Sequence, residues 1–240
     1  MSNKIFNTVV AVAAFTSIFS VGFPEIVRAT DSHSETGAVI TVTIEEPSIE
    51  TTQLTDDFFV VDFNEENLGT HEFSLTNSGT TYSYGNNLRI DGANQWGGAD
   101  DSRFITNGVG QGSFTISVDE DQKYYGFWWS AGDAYNKITF KNDGVEVAVF
   151  QTSDLVDFIN SSGVDDTSAY YGNPTYTGTN TGHLNEPFAF VNVFFNDLAY
   201  DEIVIETMTD SGAAFESDNH TFSAVKQEIR GNIVKNQFVD

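Results

Sequence analysis

The sequence predicts an all-β fold, namely an antiparallel, two-sheet, jelly-roll-like β-sandwich with one short helix. Apolar and polar residues alternate from about Gly37 onward, as Ile40, Val42 and Ile44 do around two threonines. A period of two is typical of strands with one buried face. Runs such as Phe188–Phe195 are apolar on both faces, which indicates central strands covered on both sides. Two packed layers therefore fit the pattern better than a closed barrel.

About eleven short strands follow from this alternation, separated by turn sequences such as Asn-Ser-Gly and Asn-Asp-Gly. In chain order they are Ile40–Ile44, Phe58–Phe63, Glu72–Leu75, Asn87–Ile90, Ser113–Val118, Lys123–Ser130, Lys137–Lys141, Val145–Phe150, Phe188–Phe195, Glu202–Glu206 and Thr221–Val225. Lys141–Gly144 joins two of them as a hairpin. Thr152–Asn160 begins with cap residues and continues with apolar residues at helical spacing, so it predicts the one helix. Residues 161–186 predict a long irregular loop, and loops of this length are usually functional or mobile.

The N-terminal segment predicts a secretory signal peptide over residues 1–29. Lys4 precedes an apolar stretch from Thr8 to Phe23, and Val27–Ala29 forms a small-residue cleavage site. The mature protein is therefore expected to be secreted or at the cell surface, without a membrane span. Beyond it we expect an N-terminal strand and linker over 30–53, the sandwich domain over 54–225, and a C-terminal tail over 226–240 to which no structure is assigned.

Composition excludes several classes of partner and site. The 240 residues include 10 Lys and Arg against 35 Asp and Glu, a net charge of −25. A chain with this field repels nucleic acid and anionic lipid surfaces, so neither is expected as a partner. There is no cysteine, which excludes disulfides and thiolate metal sites. Any metal must be held by oxygen or histidine ligands.

Calcium is the cofactor that these residue types favour, because it prefers six to eight oxygen ligands. Acidic clusters occur early and late in the chain, and paired terminal strands would bring them to one edge of the sandwich. The predicted ligands of this structural site are Asp62, Glu65, Glu216 and Asp218. None of the clusters has the spacing of a self-contained calcium loop, and the alternative is that they are ordinary exposed acids.

Aromatic residues in loops are the candidate ligand-binding groups, because flat rings stack on sugars while neighbouring amides and acids bind the hydroxyl groups. Trp96 lies beside two glycines, and Tyr170, Tyr171 and Tyr176 lie in the long loop. The alternative for the tyrosines is packing of the loop on its own domain. No catalytic motif is present, and the four histidines are scattered singly in polar surroundings, which predicts surface positions.

Four segments together resemble a known family. They are Tyr124–Asn136, Ile138–Gly144, Phe150–Leu155 and Phe215–Asn219. This pattern is similar to that of the β-sandwich ectodomains of bacterial exosortase-associated secreted proteins, the PEP-CTERM group. The resemblance implies a jelly-roll protein outside the cell, associated with matrix or exopolysaccharide and without established enzymatic activity. Members of that group end in Pro-Glu-Pro, an apolar span and a basic tail, whereas this chain ends in Gly231–Asp240, so sorting by exosortase is not carried over.

These observations give one leading functional hypothesis and two alternatives. The leading hypothesis is a non-catalytic, matrix-associated protein that binds an extracellular polysaccharide or a matrix protein, with structural calcium. The first alternative is a secreted glycan-active enzyme, a lyase or glycosidase, since similar sandwiches also carry such activities. An enzyme would place two acids, or an acid and a tyrosine, on one concave face beside exposed aromatic rings. The second alternative is a purely structural subunit of an assembly.

Overall fold

The structure is a computed structural model that describes residues 38–50, 57–85, 87–108, 112–208 and 212–239, with backbone alone at 38, 100 and 232–239. The predicted signal peptide lies outside the described residues. The strands are β1 Ala38–Ile44, β2 Phe59–Val61, β3 Gly69–Thr70, β4 Phe73–Asn77, β5 Thr80–Tyr84, β6 Arg89–Asp91, β7 Phe104–Thr106, β8 Gly112–Gln122, β9 Tyr124–Ser130, β10 Asn136–Asn142, β11 Val145–Gln151, β12 Ala189–Phe195, β13 Tyr200–Thr207, β14 Glu216–Ser223 and β15 Asn232–Val239. One α-helix, α1, spans Thr152–Ser161, and short 3-10 helices span Ala99–Asp101, Thr167–Tyr170 and Gly182–Asn185.

The strands form two antiparallel sheets, which confirms the predicted all-β sandwich. The larger sheet has the order β15-β1-β12-β9-β14-β7-β6-β3, and β2 also pairs with β14. The smaller sheet has the order β11-β10-β13-β8-β5-β4. Strands that are distant in the sequence are neighbours here, so β14 pairs with β9 and β7 and brings a late segment to the middle of the larger sheet.

The core lies between the two sheets and consists of their inward-facing residues. On β9 these are Tyr125, Phe127 and Trp129, all buried, and Trp129 stacks on Phe215 with ring centroids 5.0 Å apart. Burying one large apolar side chain contributes roughly 1.5–3 kcal/mol, so this aromatic row is a major source of stability.

A second, smaller cluster lies on the outer face of the larger sheet, and it positions the loops described below. It consists of Trp128 on β9, Phe190 on β12, Phe188, and Ala99 in the β6–β7 connection. The two central strands β9 and β12 are therefore buried on both faces, as their sequences predict. Connecting segments cover the outer side of the sheet here, in place of a third layer.

The predicted hairpin and helix are confirmed. β10 and β11 pair from Lys137 opposite Gln151 to Asn142 opposite Val145, with a shift of register between Phe140 and Lys141. Helix α1 buries Leu155, Phe158 and Ile159. Its start is capped by Asp154, whose carboxylate accepts a hydrogen bond of 2.9 Å from the backbone N–H of Gln151.

The sandwich extends beyond the predicted limits of 54–225 on both sides. β1 pairs with β12, and its alternate residues Ile40, Val42 and Ile44 are fully buried. β15 pairs with β1 and forms an edge strand within a segment to which the sequence assigned no structure. Within the described ranges, no helix is both long and apolar enough to cross a membrane.

Candidate functional site

A polar cleft lies where two loops meet above the outer face of the larger sheet. One is the β6–β7 loop, residues 92–103, and the other is the α1–β12 loop, residues 162–188. The cleft has a volume of about 320 Å³ and is lined by Ala93, Asn94, Gly98, Asp101, Asn173, Thr175, Tyr176, Thr177 and Gly178. Such a volume lies at the lower end of the range found for small-molecule sites.

Side-chain amides join the two loops to each other. The buried amide of Asn173 donates to the backbone carbonyls of Asn94 at 2.9 Å and Gly97 at 3.2 Å. Its carbonyl oxygen accepts from the backbone N–H and the hydroxyl of Thr175, at 3.0 and 2.9 Å. The carbonyl oxygen of Asn94 accepts from the N–H of Trp96 at 2.8 Å. These hydrogen bonds fix the walls of the cleft before any ligand arrives.

Two of the predicted binding residues are brought together around a histidine beside the cleft. The rings of Trp96 and Tyr176 lie 6.5 and 5.2 Å from the ring of His183, measured between centroids, and both are nearly perpendicular to it. Trp96 and Tyr176 are both half-buried. Tyr176 lines the cleft, and Trp96 lies outside its described lining. His183 is buried and its Nδ1 has no hydrogen-bond partner within the described part of the chain. Burial lowers its pKa, which favours the neutral imidazole.

Gly182 leaves room for the ring of Trp96. A Cβ at this position would lie 2.9 Å from Cη2 of the indole, closer than real Cβ contacts allow. The glycine therefore lets the Trp96 ring lie against the start of the Gly182–Asn185 turn.

The other two tyrosines of the long loop lie elsewhere. Tyr170 is fully buried in the main core, and its hydroxyl donates to the backbone carbonyl of Glu45 at 2.8 Å. The prediction that its ring binds ligand is therefore wrong, and it packs the loop on its own domain instead. Tyr171 packs against the core and forms an isolated bridge with Pro187 at the base of the loop. Neither tyrosine lines the cleft.

Asp218 anchors one wall of the cleft from below. Its fully buried carboxyl group accepts hydrogen bonds from the N–H of Ala99 at 3.1 Å, from the hydroxyl of Ser102, and from the N–H of Asn219 at 2.7 Å. Burial raises the pKa of Asp218 to about 8, although these donors oppose the shift. The group therefore holds both ends of the turn that carries Asp101 into the cleft wall.

Glu216 belongs to a different group of acids. It lies opposite Ser130 in the β14–β9 register, near Glu186 at the end of the long loop and Asp133 after β9. Burial raises the pKa of Glu186 to about 7, with the Asp133 carboxylate adding to the shift, and burial raises the pKa of Asp133. The pKa of Glu216 is raised well above its usual range, again chiefly by burial. None of the ion pairs in the described ranges involves these acids.

The four predicted calcium ligands do not form one site. Asp62 and Glu65 are exposed, and Asp62 accepts a hydrogen bond of 3.1 Å from the N–H of Asn64. Glu216 and Asp218 are buried, with the separate partners given above. Across the part of the chain that the structure describes, no three His, Asp or Glu side chains are arranged to hold a metal ion. Calcium binding thus stays a prediction without an assembled set of ligands.

A second histidine departs from the predicted surface positions. His220 is fully buried between the sheets, hydrogen-bonded through Nδ1 to the Tyr84 hydroxyl at 3.2 Å and through Nε2 to the Ser217 hydroxyl at 2.9 Å. Burial lowers its pKa to about 3. Because aromatic rings surround this group and no solvent reaches it, its role is to satisfy polar atoms in the core.

Comparison with known proteins gives no family assignment. Neither a scan against protein-family models nor a search of curated proteins returns a match to this sequence. The resemblance to exosortase-associated proteins therefore stays a hypothesis based on the four segments that suggested it.

Proposed function

We propose that this protein is a non-catalytic glycan-binding β-sandwich that acts outside the cell and uses the cleft between the β6–β7 and α1–β12 loops. The observation that supports the proposal most is the pair of half-buried aromatic residues at a cleft with polar walls, Tyr176 in its lining and Trp96 close by around His183. Sugars present an apolar C–H face and a rim of hydroxyl groups. A site of this composition matches both features.

The rigidity of the cleft also supports binding. Asn173 joins the two loops through two hydrogen bonds, and Asp218 holds the 99–101 turn through two more. A wall ordered in advance loses less conformational entropy when a ligand binds. Loops held on a rigid scaffold are the usual location of binding residues.

The secreted location rests on the sequence of residues 1–29, and association with matrix or exopolysaccharide rests on the family resemblance. The acidic composition agrees with this setting, since a net charge of −25 maintains solubility and opposes association with nucleic acid. In the other form of this proposal, the partner is a matrix protein in place of a glycan.

The test is a glycan array probed with the purified protein, followed by calorimetry with the oligosaccharide that gives the strongest signal. Trp96→Ala and Tyr176→Ala should each weaken binding about tenfold or more, as truncation of a central aromatic contact usually does. Tyr135→Ala is the matched control, because Tyr135 is 49% exposed and lies outside the cleft. Equal affinity of all three variants and the native protein would refute the assignment of the cleft.

An enzymatic alternative has one observation in its favour. Asp101 and Tyr176 both line the cleft, so an acid and a tyrosine share one concave surface, as a glycan-active enzyme would require. Incubating the protein with the bound oligosaccharide separates the two functions. Shortened products that disappear in Tyr176→Phe would establish catalysis, and an unchanged chain length would support binding alone.

A further inference from the structure

Asp101 differs from the other residues of the cleft. Of the nine lining residues that the structure describes, it is the one that carries a charge. It is exposed, and no hydrogen bond or ion pair of its carboxylate is found among the described residues. Its φ of 62° lies in the left-handed region, which is uncommon for residues other than glycine and which the surrounding structure must maintain.

The two amides that line the cleft form hydrogen bonds within the protein. Both functional ends of Asn173 are used within the protein, and Asn94 accepts from Trp96 and donates to the carbonyl of Gly92 at 3.3 Å. The Asp101 carboxylate is therefore the charged acceptor that the described lining offers a ligand, beside the Tyr176 ring, hydroxyl groups and the second N–H of the Asn94 amide. An ionised carboxylate only accepts hydrogen bonds, so this side chain binds ligand groups that donate them, such as hydroxyl groups.

The position of Asp101 is fixed by the protein. The turn that carries it closes with a hydrogen bond of 3.0 Å from the N–H of Ser102 to the carbonyl of Ala99. The buried Asp218 carboxyl group binds the Ala99 N–H and the Ser102 hydroxyl, one on each side of Asp101. The left-handed residue is thus held between two anchored neighbours.

We propose that Asp101 is the specificity-determining residue of the cleft, and that it selects uncharged glycans through their hydroxyl donors while rejecting polysaccharides that carry carboxylate or sulfate groups. This inference rests on the proposed glycan-binding function. Two effects act in the same direction. The carboxylate forms charge-assisted hydrogen bonds with hydroxyl groups, and it repels an anion at contact distance.

An anionic glycan is repelled both by the net charge of the whole protein and by the Asp101 carboxylate, and these two repulsions act over different distances. The net charge of −25 repels anionic chains over long distances, and about 1 M salt reduces the screening length to about 3 Å. Rejection that persists at this salt concentration must come from direct contact in the cleft. The measurement therefore needs both low and high salt.

The experiment compares an array of uncharged oligosaccharides with uronate-containing and sulfated ones, then the best uncharged ligand with its C6-carboxylate derivative at about 0.1 M and 1 M NaCl. Asp101→Asn should bind the uncharged ligand about tenfold more weakly, since hydrogen bonds to charged groups are the stronger ones. It should also bind the carboxylate derivative more tightly than the native protein does, at both salt concentrations. Asp143→Asn is the control, because Asp143 is exposed, has a φ of 50° and lies in the β10–β11 turn, outside the cleft.

The outcomes separate this inference from the function on which it rests. Unchanged selectivity of Asp101→Asn, while Trp96→Ala still weakens binding, would overturn the role of Asp101 and leave the proposed function in place. If the strongest ligand is a uronate-containing or sulfated glycan, the role of Asp101 is likewise overturned, while the glycan-binding function stays in place. If no glycan binds at either salt concentration, the proposed function fails and this inference fails with it.

Discussion

Replacement of Asp218 by alanine tests how the cleft wall is held. The substitution removes a fully buried acceptor of three hydrogen bonds, from Ala99, Ser102 and Asn219. The pKa of about 8 means that the carboxyl group is mostly protonated at pH 7, so each bond is counted as a neutral one with a net value of about 1 kcal/mol. The expected loss of unfolding free energy is therefore about 3 kcal/mol.

The assay is urea denaturation at 25 °C and pH 7, with thermal unfolding as a second measurement. For a domain of this size a loss of about 3 kcal/mol lowers the midpoint by about 6–12 °C. Asp62→Ala is the control, because this exposed carboxylate was predicted for the same calcium site, and it should change stability by no more than about 0.5 kcal/mol. A loss below about 1 kcal/mol for Asp218→Ala would refute the anchoring role.

Three further predictions follow from the same structure. The pKa of Glu186 is raised from 4.5 to about 7, so its protonated carboxyl group stabilises the native protein below pH 4.5, and this stability is lost as the pH rises through 7. In urea titrations over this range, the unfolding free energy of Glu186→Gln should therefore depend less on pH than that of the native protein. The His220 pKa, lowered from 6.5 to about 3, makes the native protein lose stability as the pH falls from 6.5 towards 3, and His220→Phe should remove this part of the acid sensitivity in the same assay. Gly182→Ala should displace Trp96 and weaken glycan binding in calorimetry while the Asp218-anchored turn keeps its protection in hydrogen exchange.

Local sequence patterns predicted the elements whose structure depends on neighbouring residues. The hairpin through Lys141–Gly144 and the helix that begins at Thr152 are both observed close to their predicted limits. Alternation identified β1, because a buried strand face repeats every two residues, and continuous apolar runs identified the central strands β9 and β12. The edge strand β15 was missed because its pairing partner β1 is almost 200 positions away and its own alternation is weak.

The site was only partly predictable, because it depends on contacts between distant segments. Trp96 and Tyr176 could be selected as loop aromatic residues beside glycines, but nothing local shows that Asn173 binds the backbone of Asn94, 79 positions earlier. Burial of Asp218 was also hidden, since acidic side chains are rarely buried and the residue was therefore expected at the surface as a calcium ligand. Tyr170 was misassigned for the opposite reason, because its place in a long polar loop gave no sign that it enters the core.

The most direct test of the cleft assignment is to map ligand contacts by NMR, adding the strongest array ligand to the isotope-labelled protein. Chemical-shift changes should concentrate in residues 93–101 and 173–183, including the indole N–H of Trp96, with few changes in the smaller sheet. Changes confined to the smaller sheet, with the Trp96 signal unmoved at saturation, would show that the ligand binds elsewhere and not in the cleft.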